Sequence, residues 1–74
     1  MTTKYVVLKE AGHKPPTLII FPSWLLHKEF QFMGEIISAG FINMKAKCCY
    51  GESISLNIKS DPEKDNCLLR LLFD

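Results

Sequence analysis

Lys47–Lys59, reading KCCYGESISLNIK, decides the fold, because it is the longest segment of the chain with a single strict period. Cys48, Tyr50, Ile54, Leu56 and Ile58 fall on one parity, interrupted only by Glu52, while Lys47, Cys49, Gly51, Ser53, Ser55, Asn57 and Lys59 fall on the other. Period 2 marks a half-buried strand. The segment is therefore predicted to be a strand with its apolar face covered by the rest of the chain and its small, polar face turned outward. It exceeds the usual strand length of about five or six residues, and Gly51 predicts a bulge or bend within it.

The preceding segment, Glu35–Met44 (EIISAGFINM), places Ile37, Ala39 and Phe41 on one parity and Ile36, Ser38, Gly40 and Ile42 on the other, a strand apolar on both faces. A turn near Lys45 and Ala46 makes the two a hairpin. Ser38 and Gly40 then share a face with Cys49, Gly51, Ser53 and Ser55, with Lys47 beside them. These seven residues are the candidate binding surface, since small side chains permit close approach by another backbone or a planar ligand. An ordinary solvated sheet face is the competing reading of the same residues.

Farther out, Lys4–Glu10 (KYVVLKE) is rich in β-branched and aromatic residues and predicts the first strand. Ala11–Pro16, with Gly12 and Pro15-Pro16, predicts a loop, and Thr17–Phe21 (TLIIF) a second strand in a hairpin with the first. Pro22 suits the first turn of a helix, with Ser23 able to cap it. In Trp24–Met33, Leu26, Phe30 and Met33 repeat at i, i+4 and i+7, predicting an amphipathic helix of about three turns that stops at Gly34. Trp24, Leu25 and Phe32 lie off that stripe, which implies a broad apolar contact or a second subunit. At the other end, Asp61 before Pro62 predicts a helix N-cap, with Ser60 and Glu63 as a capping-box alternative. Leu68, Leu71 and Leu72 form the helix stripe, flanked by Cys67 and by Leu69 and Phe73. The expected architecture is one small α+β domain over residues 1–74, ordered ββαββα, with an antiparallel or mixed sheet and two helices packed on one face.

At 74 residues, with 47% hydrophobic and 23% charged residues, the composition is that of a globular domain. A chain of this size buries only roughly 60% of its unfolded surface. One Trp, two Tyr and five Phe are therefore more than one core hides easily, and part of the apolar surplus is expected between subunits. The net charge of +1 is spread without runs of like sign, so a nucleic-acid role is disfavoured; the nearest basic cluster is Lys45, Lys47 and Lys59. No segment reaches the roughly 20 apolar residues of a membrane span, and the amino terminus lacks a signal-peptide core. A soluble, cytoplasmic protein is expected.

Catalytic machinery is not expected. His13 and His27 have no serine or cysteine near them in a recognised nucleophile setting, and no carboxylates are paired on one segment. A meeting of Cys49 with His27 is disfavoured, because a helix and an outward strand residue belong on opposite sides. Cys48-Cys49 without a second metal-binding pair falls short of zinc spacing. No metal or cofactor is expected. Cys48 and Cys67 sit on apolar stripes and read as small buried hydrophobes, not as a disulfide. Gly12, Gly34, Gly40 and Gly51 are isolated, so no phosphate-cradling loop is present.

IIFPSWLLHKE at 19–29, ISAGF at 37–41 and CYGESISLNIKSDPEKD at 49–65 resemble small proteins of bacteria and their phages that have no assigned activity. Asn57 stands where that pattern has glycine, and Asp61 where it has a basic residue. The resemblance implies a phage or mobile-element accessory protein. With the missing catalytic motifs, it points to a non-enzymatic interaction protein that binds and inhibits a host protein, acting as a homo-oligomer. The alternative is an oligomer that sequesters a nucleotide-like ligand through the Ser/Gly patch and a basic residue such as Lys47 or Lys59; a weak nucleic-acid module comes third.

Overall fold

The computed structural model describes residues 2–9, 12 and 15–73. The β-branched run at the amino end forms β1, Thr3–Lys9, and TLIIF with its following proline forms β2, Thr17–Pro22. They pair antiparallel from Thr3↔Pro22 to Leu8↔Thr17, the hairpin expected. The predicted strand end at Glu10 and much of the connecting loop, including His13, lie outside the described residues. Glu35–Asn43 forms β3, which pairs antiparallel with β1 and with β4, Cys48–Tyr50, in the order β2-β1-β3-β4. Val7 faces Ser38 and Leu8 faces Ile36, so Ile37 is the extra residue of a β-bulge. The β3–β4 turn is tied by Asn43, whose Oδ1 accepts the N–H groups of Lys45 and Ala46, each at 3.1 Å.

The long alternating stretch is not one strand. It runs as β4, then β5 at Glu52–Ser53 and β6 at Ile58–Lys59, with β5 and β6 paired antiparallel as a separate two-stranded sheet. Two residues with positive φ impose the breaks. Gly51, at φ 79, turns the chain away from β4, and Asn57, at φ 55, closes the turn between β5 and β6; asparagine is among the few side chains that tolerate this left-handed region. The turn is held by Asn57 N–H to Ile54 C=O (3.2 Å) and Leu56 N–H to Ser53 Oγ (3.4 Å). Ser60 N–H then donates to Gly51 C=O at 3.0 Å, binding the hairpin base. The predicted bend at Gly51 is present, and Leu56 and Ile58 pack inward as expected, but before them the inward face is reversed: Cys49 and Ser53 are buried, whereas Cys48, Tyr50 and Ile54 are exposed.

The first predicted helix is a shorter 3₁₀ helix at His27–Met33. Leu25 N–H bonds back to Pro22 C=O at 3.1 Å, so Ser23 and Trp24 form a turn and cap no helix. Leu26 then keeps an extended backbone, and its N–H donates to Glu29 Oε2 at 2.6 Å. With three residues per turn, His27, Phe30 and Met33 line up. The inward residues are accordingly His27 and Phe30, while Leu26 is exposed. Gly34 ends the helix as expected.

The second helix, α1, spans Pro62–Phe73 with Asp61 before it, as expected. Asp61 Oδ1 lies 3.5 Å from Lys64 N, and Asp65 Oδ2 accepts the Asp61 N–H at 2.9 Å. The buried line is Asp65 and Leu69. The predicted stripe is thus rotated: Leu68 is half-buried, and Leu71 and Leu72 are exposed. Cys67 and Cys48 are exposed as well, correcting their expected burial.

The helices do not share a face. On one side of the sheet Leu69 of α1 packs with Tyr5, Val7, Leu18, Ile42 and Cys49. On the other, Phe30 of the 3₁₀ helix and Leu56 and Ile58 of the β5–β6 hairpin pack against Val6, Leu8, Phe21, Ile36 and Ala39. An α+β fold with an antiparallel sheet is present, but as three layers: helix, four-stranded sheet, and a mixed layer of 3₁₀ helix and small hairpin. Among the described residues no helix is long and apolar enough to cross a membrane.

Candidate functional site

The residues of the predicted outward patch separate into three settings. Ser38, Gly40 and Cys49 lie under α1 and are buried; Ser53 is buried on the opposite layer; Lys47, Gly51 and Ser55 are exposed. The close approach that small residues allow is used inside the molecule, at Ser38 by Asp65 of α1 and at Gly40 by the Tyr50 carbonyl of β4. A Cβ on Gly40 would run into the Tyr50 carbonyl oxygen and touch Ser60 and the Tyr5 ring. Cys49 N–H donates to Asn66 Oδ1 at 2.7 Å. Lys47, at φ 54, carries its ammonium over the Phe73 ring, 5.2 Å from the centroid.

Asp65 organises the buried side of this arrangement. Its carboxylate, on a residue 1% exposed, accepts the Tyr5 hydroxyl, the Ser38 hydroxyl at 2.8 Å and the Asp61 N–H at 2.9 Å. Three elements, β1, β3 and α1, are thereby pinned through one side chain. Burial, reinforced by the carboxylate, raises the Tyr5 pKa well above the ordinary tyrosine value, so its hydroxyl stays a donor. Burial and then Asp65 push the Cys49 thiol up to about 11, leaving it a neutral, unreactive thiol at physiological pH. Every partner is internal, which marks the cluster as a structural bolt. Its sequence signal was Asp65 standing four residues before Leu69 on one helix face.

The open site lies on the other layer. A groove of about 400 Å³ runs between the segment entering the 3₁₀ helix and the β5–β6 hairpin, with Leu26 and Ile54 on its rim and His27, Phe41, Ser53 and Ser55 among its lining residues. Lys4 is held beside it by donating to Leu25 C=O at 2.9 Å, and Glu52 contributes a carboxylate. His27, only 5% exposed, is set edge-on to both Phe21 and Phe41. Its Nε2 lies 2.9 Å from Gly40 C=O, and because a carbonyl only accepts, Nε2 carries the proton. Nδ1 is left as a lone-pair acceptor. His27 lines the groove, and Nδ1 has no hydrogen-bond partner among the described residues. His27 and Cys49 serve opposite layers and do not meet.

Burial, aided by the nearby Lys4 charge, lowers the His27 pKa below its usual 6.5, while the bond to Gly40 C=O opposes this. The unfolded chain therefore takes up the proton at a higher pH than the folded one. Stability is full above about pH 6.5 and falls as pH drops from there toward the lower folded value. Urea midpoints at about pH 7.5 and about pH 5.5 are expected to show this loss in the parent and a smaller one in His27→Gln. Equal slopes in the two proteins would contradict it.

Among the described residues no three His, Cys, Asp or Glu side chains are grouped as metal ligands would be. No family model matches the chain, and neither curated proteins nor solved structures contain a significant match to it.

Proposed function

We propose that this chain is a non-enzymatic protein-interaction module that acts as a homo-oligomer. The observation that carries this reading is the exposure of its large apolar side chains: Ile54 is 89% exposed, Phe32 86%, Leu71 74% and Trp24 72%. Single exposed hydrophobics are ordinary on soluble proteins, but adjoining ones mark contact surfaces. Here they gather around the two ends of the 3₁₀ segment, at the hairpin tip, and along Leu71, Leu72 and Phe73 of α1. The buried titratable groups Tyr5, Asp65 and Cys49 are engaged with one another and offer no free nucleophile or base. The likeness to small bacterial and phage proteins makes a host protein the natural foreign partner. Native mass spectrometry of the purified chain is expected to give multiples of 8.5 kDa. A lone 8.5 kDa species at every concentration contradicts the homo-oligomer.

The His27 groove supports a second reading, a small ligand that donates a hydrogen bond to Nδ1 and rests on Phe41 and Ile54. A ligand present at about 100 times its Kd adds about 2.7 kcal/mol to stability. A thermal-shift series with nucleotides and amines that raises the melting temperature of the parent and not of His27→Phe supports it; no shift with either protein argues against it.

A further inference from the structure

The geometry points to β2 as the seam at which a second copy of this chain adds on, building one continuous eight-stranded sheet across a two-fold axis. This rests on the homo-oligomer reading and says which surface makes it. β2 is an outer strand of the four-stranded sheet, so every second N–H and C=O along it points away from β1. Among the described residues, the backbone bond that leaves this strand outside the sheet ladder is the one from Leu25 N–H to Pro22 C=O. The outward groups of Thr17–Phe21 have no other partner there. The opposite edge, β4, is only three residues long and turns off at Gly51.

Open edges are ordinarily guarded by a charge, a bulge or an internal proline. TLIIF has none of these. Its register with β1 is unbroken, and Ile19 and Ile20 remain half-buried, one packed toward each layer. Its prolines stand outside the strand centre, at Pro16 and Pro22, symmetric about Ile19. Antiparallel self-pairing centred on Ile19 sets Thr17 opposite Phe21, Leu18 opposite Ile20, and Pro16 opposite Pro22 of the second copy. Pro22 lacks an N–H and its C=O is turned outward to Leu25, so the even residues of β2 face the seam. Leu18 and Ile20 of the two copies therefore exchange the ladder bonds, and Pro16 opposite Pro22 ends the ladder on either side. Opposed residues in such a pair point to the same face, which puts the two α1 helices on one side of the joined sheet.

That side carries the second feature. A groove of about 470 Å³ lies along α1 where it meets the start of β2, lined by Pro16, Glu63, Lys64, Cys67, Leu68 and Leu71. Its lining is mostly apolar, and it lies beside Pro16, which this register sets against Pro22 of the second copy. The occupant is a second copy because the open strand is complementary to itself about Ile19.

Sedimentation equilibrium of the parent, Thr17→Lys, Leu71→Glu and Ile54→Glu tests this, with circular dichroism to follow folding. Thr17 and Leu71 are exposed, so both positions tolerate charge in the monomer. A parent dimer is expected, weakened at least about tenfold in Kd by Thr17→Lys and by Leu71→Glu and unchanged by Ile54→Glu. Hydrogen exchange on the parent alone gives a second measure: the outward amides of Leu18 and Ile20 are expected to gain protection as concentration rises. A dimer indifferent to both variants, or broken by Ile54→Glu instead, overturns the β2 seam and leaves the homo-oligomer standing. A parent that stays monomeric overturns both.

Discussion

Asp65→Ala is expected to destabilise the fold by about 4 kcal/mol, because it orphans the hydroxyls of Tyr5 and Ser38 and the N–H of Asp61 together. A buried donor left without its acceptor costs about 1–3 kcal/mol, and partial relaxation reduces the total below the sum. A domain of this size has about 4–11 kcal/mol of stability in all, so the variant is expected to be largely unfolded or close to it. Asp65→Asn keeps one acceptor oxygen and nearly the same shape, and should lose less. Tyr5→Phe removes a single donor from the cluster and should be the mildest of the three. Urea unfolding checks the ranking. An Asp65→Ala protein within about 1 kcal/mol of the parent would show that α1 is held to the sheet by Leu69 packing alone.

Gly40→Ala follows, with an expected loss of about 3 kcal/mol. Replacing glycine by alanine at an ordinary φ stabilises a protein by about 0.4–1 kcal/mol through the unfolded chain, and Gly40 is not among the positive-φ residues. The added methyl, however, meets the Tyr50 carbonyl oxygen, which belongs to the neighbouring strand and cannot swing aside as a side chain would. Overpacking of that kind costs about 1–3 kcal/mol or more, so the clash wins. The same methyl would press on Ser60 and the Tyr5 ring, disturbing the Asp65 cluster from above. Thermal unfolding with a midpoint equal to or above the parent's would contradict the close β3–β4 approach.

The two predictions bear on why some of this molecule was legible in its sequence and some was not. β1, β2, β3 and α1 could be read to within a residue or so at most of their ends, because β-branched runs and an Asp-Pro helix start act locally. The Lys47–Lys59 stretch misled because alternation looks alike whether a chain runs straight or doubles back. The signals that separate the two cases, glycine and asparagine at positive φ, are single residues. Ser38 and Gly40 read as an outward patch on the same logic, yet small residues serve equally for close internal packing: Asp65 of α1 reaches Ser38, and the Tyr50 carbonyl reaches Gly40. The 3₁₀ helix reads as an α-helix because Phe30 and Met33, spaced i and i+3, fall close to one line in either form. Over seven residues the two periods diverge by more than a third of a turn, which brings His27 inward and turns Leu26 out. The expected surplus of apolar surface is present, although along α1 it comes partly from residues, Leu71 and Leu72, that had been placed in the core.

Self-association is the claim on which the functional reading stands, and sedimentation equilibrium of the parent chain from micromolar to millimolar concentration tests it most directly. The expected result is an apparent mass that rises from 8.5 kDa toward twice that value as concentration increases, with Leu71→Glu moving the rise to higher concentration. A mass that stays at 8.5 kDa across the whole range, in parent and variant alike, contradicts it.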